Sequence, residues 1–290
     1  MRELIYKIDD GFDGKQVQQL LRHYGYSRSL ISSLKSSDRL KCNDKHIRTI
    51  DYLRKGDIVT VMMEDKTDII PNISLKIPIL YEDEDIIIFD KPPFMAVHPS
   101  LKHYDDTLAN YFTALHPKMS FRSINRLDRN TSGIVLVAKN QLSAARLSGD
   151  PEYHSKKLYY AVAEGDISDK FGTAGEIIAP IARVSESIIN REVRSGGQHA
   201  HTVFKVIKSN ENMSLLEISL VTGRTHQIRV HFSSIGNPLI GDDLYGGNIS
   251  LINRQALHCG KISFIHPISK ERIVVSSSFP EDIQRIVDMI

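Results

Sequence analysis

The amino-acid sequence predicts an α+β protein built from a small unit followed by a larger one. Three observations predict it. In the first 63 residues, two helical segments precede short strands. Beyond residue 78, β-branched runs such as Ile86-Ile87-Ile88-Phe89 and Ile134-Val135-Leu136-Val137 have the length of buried strands, and amphipathic helical segments stand between them. Between the two units lies a polar, proline-bearing stretch that reads as a linker. The boundaries are placed at 1–65 for the small unit, 66–77 for the linker and 78–290 for the large unit.

Composition narrows the class. The chain has 290 residues, 41% hydrophobic and 25% charged, which is ordinary for a globular protein. Its net charge is only +2, so any nucleic-acid surface must be local. Cys42 and Cys259 have no metal-ligand spacing and are too few for a disulfide framework. The N-terminal residues carry no apolar signal region, and no run approaches a membrane span. These features predict a cytoplasmic protein with no membrane partner.

The small unit opens with an alternating segment over residues 1–9. Val17, Leu20, Leu21 and Tyr24 recur at helical spacing, and Gly25 ends that helix. Ser27 is a good N-cap for a second helix carrying Leu30, Ile31 and Leu34. Leu40-Lys41-Cys42 and Ile47-Arg48-Thr49-Ile50 flank the turn signal Asn43-Asp44, and Gly56-Asp57 opens the strand Ile58 to Met63. Between residues 22 and 55, nine Lys and Arg against three Asp leave +6. A charge excess is often only a solvated face. Here the pattern Tyr26-Ser27-Arg28-Ser29-x-Ile31-Ser32, followed by Leu53-Arg54-Lys55-Gly56-Asp57-x-Val59, resembles the S4 RNA-binding domain over residues 13–63. The resemblance implies that Arg28, Lys35 and Lys41 contact RNA, giving affinity without much sequence information.

In the large unit, strands at Ile79–Tyr81 and Ile86–Phe89 surround the acidic turn 82–85, and Lys91-Pro92-Pro93 ends the second. A helix with Leu108, Tyr111, Phe112 and Leu115 precedes the loop Ser123 to Gly133. That loop places Asp128, Arg126 and Arg129 at the end of a core strand, where chemistry is commonly mounted. Asn140 is a plausible N-cap for the helix holding Leu142, Ala145 and Leu147, and Gly149 stops it. Lys157 and Tyr159 share one face of the strand Lys157–Gly165. Leu215–Val221 is a strand, Gly223 a turn, and Thr225 can cap a helix in which Ile228, Phe232 and Ile235 share a face. His226 and His231 are five apart, which is not the i, i+4 spacing of a zinc helix, and His199 and His201 have no carboxylate or thiolate at ligand spacing. Gly241 to Gly247 lacks the Lys-Ser/Thr ending of a phosphate loop and reads as a structural turn.

Three strings carry a longer resemblance. Arg126-Leu127-Asp128-x-x-Thr131-Ser132-Gly133, the pair Lys157-x-Tyr159, and Thr222-Gly223-Arg224-Thr225-His226-Gln227-Ile228-Arg229 stand in the order of the motifs of RluA-type pseudouridine synthases. The acidic turn with Lys91-Pro92 and the Gly241-Asp242-x-x-Tyr245-Gly246 segment are similar to that family as well. The resemblance implies a mixed, mostly antiparallel sheet flanked by helices, with the site in a central cleft that His98-Pro99-Ser100 approach. It implies isomerisation of uridine to pseudouridine in RNA without a cofactor or metal, by a monomer. Asp128 is implied as the catalytic residue and Arg224 as its ion-pair partner, with Tyr159 over the target base. Arg126 fills the space the flipped base leaves, and Arg129, Thr131, His226 and Gln227 contact RNA. The chain departs from the family at Asn125, where a histidine is usual.

An ionised carboxylate beside an arginine is available as nucleophile or base at neutral pH. Two other classes stay open: an RNA-binding protein without catalysis, against which Asp128, Tyr159 and Arg224 argue, and a hydrolase pairing Asp128 with a histidine, against which the missing second carboxylate argues. Large-subunit ribosomal RNA is the favoured substrate, with transfer RNA as the alternative.

Overall fold

A computed structural model describes residues 2–35, 38–185 and 189–290. The small unit comprises β1 (Arg2–Lys7), α1 (Val17–His23), α2 (Arg28–Leu34), β2 (Leu40–Cys42), β3 (Lys45–His46) and β4 (Ile58–Met63). Its strands form one sheet in the order β1-β4-β2-β3. Ser27 caps α2 as expected, its Oγ accepting from Leu30 N at 3.2 Å. Asn43 and Asp44 turn the chain with φ of 49° and 64°. The return strand is shorter than expected: it spans Lys45–His46, Ile47 N still donates to Leu40 O at 3.2 Å, and residues 48–50 leave the sheet. The reason is a competing use for their carbonyls. Thr49 O and Asp51 O accept from Gln18 N and Val17 N, satisfying donors at the start of α1 that the helix itself cannot.

The large unit begins with β5 (Ile79–Glu82), β6 (Ile86–Lys91), α3 (Leu108–Leu115), β7 (Arg122–Ser123), β8 (Ser132–Ala138) and α4 (Gln141–Gly149). It continues with β9 (Lys156–Glu164), α5 (Ile167–Phe171), β10 (Ala174–Ile178), β11 (Ile181–Arg183) and β12 (Arg191–Val193). It closes with β13 (His201–Ser209), β14 (Met213–Leu220), α6 (Gln227–Ser234), β15 (Leu257–Ile265), β16 (Arg272–Ser276) and α7 (Glu281–Val287). The central sheet has ten strands, running β10-β13-β14-β9-β15-β8-β6-β5, with β16 on β15 and β7 on β8. Every pairing in it is antiparallel except β8 with β15, so the sheet is mixed and mostly antiparallel as the sequence implied.

That parallel pairing matters for the site. At Gly133, φ is +110° and any Cβ would collide with the Cys259 carbonyl. Only glycine lets β8 lie this close to β15. The main core gathers Ile86–Phe89, Ile134–Ala138, Phe112, Leu216, Ile218 and Phe232 under the sheet.

The small unit has its own core, which recruits Leu142 of α4. Arg146, also on α4, donates through Nε to Tyr24 O at 3.0 Å, and Arg2 makes two hydrogen bonds to Asp85. The connecting stretch is tethered as well. Asp65 accepts from Arg122, and Ile70 O accepts from Asn110 Nδ2 at 2.7 Å.

Candidate active site

Residues 124–131 cross from β7 to β8 as a loop, and that loop forms one wall of a cleft of about 990 Å³. The loop is anchored from below at Asn125, Arg129, Asn130 and Thr131. Asn125 is buried and acts as a bracket to β8: Nδ2 donates to Ile134 O at 3.0 Å, and Oδ1 accepts from Leu136 N at 2.9 Å. Lys91 is fully buried, and its ammonium donates to the carbonyls of Pro92, Met95 and Arg129. Arg254, equally buried, donates to Asn130 O at 3.1 Å while its other nitrogens hold the Asp282 carboxylate of α7. Gln255 donates to Thr131 Oγ1 at 3.0 Å. A loop with its backbone carbonyls so occupied presents Asp128 in one place.

Asp128 meets Arg229. NH1 of Arg229 donates to Asp128 Oδ2 at 3.1 Å, and its Nε and NH2 make a fork onto Asp242 at 2.7 and 2.8 Å. Asp242 is fully buried. Burial works against the charge of Arg229, but the hydrogen bonds and charges of Asp242 and Asp128 outweigh it, and the net shift raises its pKa. Oδ1 of Asp128 accepts no hydrogen bond from the described residues and is left for a ligand. His226 Nε2 stands 3.7 Å from Oδ2.

This corrects the expected partner. Arg224 lines the cleft, but it is exposed and its Nε donates to His199 O at 3.0 Å. The cause is the start of α6. Thr225 does not cap this helix; His226 does, in a left-handed conformation with φ of 58°. That turn brings the first helical turn, and Arg229 with it, onto Asp128. The pairing follows from burial, which the residue spacing does not show. Ile228-Arg229-Val230-His231-Phe232 is buried throughout, and an arginine in such a run must find a carboxylate. The carboxylate is Asp242, set by Gly241, whose φ of +78° and contact with the Arg254 carbonyl exclude any side chain.

Two further expectations change. Thr131 is buried and holds the loop through Gln255 rather than facing RNA. Gln227 is also buried, and its amide is fully spent: Oε1 accepts from Thr222 Oγ1 and Arg224 N, and Nε2 donates to His201 O and Thr202 Oγ1. It folds the turn.

Arg126 lines the cleft with an exposed guanidinium that has no partner among the described residues, and Arg129 is exposed beside it. His98, Pro99 and Ser100 line the same cleft. Arg28, Lys35 and Lys41 lie on the small unit, the first two exposed and Lys41 half-buried.

Tyr159 and Lys157 both line the cleft from β9. Burial, with Cys259 and Asp128 close by, raises the Tyr159 pKa well above its ordinary value, so its hydroxyl keeps its proton. Burial also pushes the Cys259 thiol up to about 12, which leaves it a thiol and a poor nucleophile. Burial, then Arg254, lowers the Lys91 pKa to about 7.

Among the described residues one cluster, Asp83, Asp85 and His266, is close enough to suggest a metal. Its donor atoms are already used. Asp85 takes Arg2 and Asn140, Asp83 takes Tyr81 and two backbone N–H groups, and His266 Nδ1 takes Ser269 N at 2.9 Å. With Nδ1 accepting, the ring proton of neutral His266 sits on Nε2, facing Asp83 Oδ2 at 3.0 Å. A ligand nitrogen would have to lose that proton.

Comparison with known proteins identifies the family. Residues 85–234 match the RNA pseudouridylate synthase family. The chain is 40% identical to the uncharacterized RNA pseudouridine synthase YhcT of Bacillus subtilis, over 98% of this chain and 96% of the relative. It is 33% identical to the ribosomal large subunit pseudouridine synthase D of Xanthomonas campestris, over 91% of this chain and 85% of that one. Among solved structures, human RNA pseudouridylate synthase domain containing 1 superposes with a TM-score of 0.58 at 26% identity, covering 72% of this chain and 86% of that chain.

Proposed function

The chain belongs to the RNA pseudouridylate synthase family, and from that premise we propose that it modifies uridines of large-subunit ribosomal RNA, with Asp128 acting on the target nucleotide. The reaction is an isomerisation. The bond from ribose carbon 1′ to base N1 breaks, the base turns, and carbon 5 bonds to carbon 1′. The proton lost from carbon 5 is balanced by one gained at N1. Nothing is oxidised and no group is imported, so the reaction asks for no redox or group-carrying cofactor.

The observation that carries the reading is the anchoring of Asp128 in the cleft wall, with Oδ2 bonded to Arg229 and Oδ1 without a hydrogen bond from the described residues. An anionic carboxylate so held acts as nucleophile or base. The uridine must leave its stack to reach it, at a cost of a few kcal/mol. The exposed guanidinium of Arg126 is suited to the vacated space. Tyr159 lines the cleft from β9, and we assign it packing against the flipped base.

Two features favour ribosomal RNA. One is the relative named for the large ribosomal subunit. The other is the +6 excess over residues 22–55 of the small unit, a local basic stretch suited to the phosphates of structured RNA. Mapping pseudouridines across total RNA from cells with and without this protein tests the reading. Loss of sites in large-subunit ribosomal RNA is expected. Loss confined to transfer RNA would replace the substrate class, and no lost site in any RNA would sink the reading.

A further inference from the structure

We propose that Tyr245 is a positioning residue: its hydroxyl fixes the tautomer of His226, so that the imidazole presents an N–H, and not a lone pair, to Asp128. The argument starts from one proton. Tyr245 Oη lies 2.8 Å from His226 Nδ1 and accepts the backbone N–H of Arg191 at 3.1 Å. A phenol has a single proton to donate. Among the described residues, His226 Nδ1 is the acceptor within its reach. Nδ1 therefore accepts, and the ring's own proton sits on Nε2. Nε2 is the nitrogen that faces Asp128 Oδ2 at 3.7 Å.

The surroundings keep both groups in these states. Burial, first of all, raises the Tyr245 pKa, so the hydroxyl remains a donor. Burial likewise lowers the His226 pKa, with Arg229 of α6 and Arg191 of β12 opposing an imidazolium, while Asp128 and Asp242 favour one. The Tyr245 ring is itself held, 4.9 Å from the Arg229 guanidinium and edge-on to His226.

The consequence falls on Asp128. A lone pair on Nε2 would repel the carboxylate, whereas an N–H attracts it. At 3.7 Å the N–H is not yet spent in a hydrogen bond. It joins Arg229 in holding Oδ2, and Oδ1 stays the reacting oxygen. The catalytic importance of this arrangement rests on Asp128 being the reacting group, but the tautomer can be read without turnover.

The experiment is nitrogen NMR of the full chain labelled with ¹⁵N-histidine, with His226 assigned by its loss in His226→Gln. At pH 7 the wild type is expected to show a neutral ring protonated at Nε2. In Tyr245→Phe, which keeps the aromatic ring, that signal is expected to shift towards the other tautomer or the imidazolium. The variant's kcat is expected to fall by about ten- to a hundredfold, as when a supporting hydrogen bond behind a functional histidine is lost. Its KM should stay within about twofold, because Tyr245 is not among the residues that line the cleft. The acid limb of its pH–rate profile should move towards neutrality, since Nδ1 is then open to a proton. A wild-type ring protonated at Nδ1, an unchanged tautomer in Tyr245→Phe, or an unchanged kcat in that variant would each overturn the proposal. If the variant does not fold, the wild-type spectrum alone decides. Activity surviving in Asp128→Asn would overturn the assignment of Asp128 and leave the tautomer result standing.

Discussion

Arg229 divides one guanidinium between two carboxylates, giving its fork to the buried Asp242 and its remaining nitrogen to Asp128 at 3.1 Å. The fork fixes the plane of the guanidinium. The third bond then fixes Asp128 Oδ2, so the position of the Asp128 carboxylate is inherited from the fully buried Asp242.

This arrangement separates two arginines experimentally. Arg229→Met leaves Asp242 buried without its cation, which should cost about 3–5 kcal/mol of stability and abolish activity. Arg224→Ala removes an exposed side chain bonded to a backbone carbonyl, so its Tm should remain close to wild type. Melting curves of both variants check this. Equal losses of Tm would show that Asp242 does not depend on Arg229.

Lys91 gives a pH signature. Its pKa is depressed from 10.5 to about 7 by burial, then by Arg254, so the folded protein binds this proton more weakly than the unfolded chain does. Its contribution to stability is therefore fully present above the unfolded value and is lost as pH falls towards 7. The Tm of wild type minus that of Lys91→Met should increase from pH 7 to pH 10. A difference flat across that range would contradict the depressed pKa.

The small unit's cations can be tested without cutting the chain. Deleting it would expose Leu142 and strand Arg146, whereas replacing Arg28, Lys35 and Lys41 with Gln disturbs no buried contact. If all three contact phosphates, the slope of log affinity against log salt should fall by about 2–3. Titrations at several salt concentrations measure it, and an unchanged slope would remove these three residues from the RNA interface.

Much of the frame was legible in the sequence because it depends on local chemistry. The apolar run after Gly133 became β8, Ser27 and Asn140 cap their helices, and the Asp128 loop lies at the end of its strand. What was not legible depends on a single left-handed residue or on burial. The φ of 58° at His226 decides which arginine of Arg224 and Arg229 faces Asp128, and nothing in residue spacing encodes that angle. Thr131 and Gln227 look like polar contact residues in the motifs, yet both are spent inside the protein. Lys91 and Arg254 bond backbone carbonyls, partners that carry no sequence signal. Asn125, where the family's usual histidine is absent, proves to be a support for β8.

The most direct test of the account is tritium release from carbon-5-labelled uridine in ribosomal RNA, run with wild type and Asp128→Asn in excess chelator. Asn is nearly isosteric and can still accept from Arg229, so the fold and the RNA contacts should persist. It cannot act as an anion, so the chemistry should stop. The account predicts wild-type release in chelator, no detectable release by the variant, and RNA affinity within about tenfold, or 1.4 kcal/mol. Release by Asp128→Asn at more than about a tenth of the wild-type rate, a barrier change below about 1.4 kcal/mol, would contradict it.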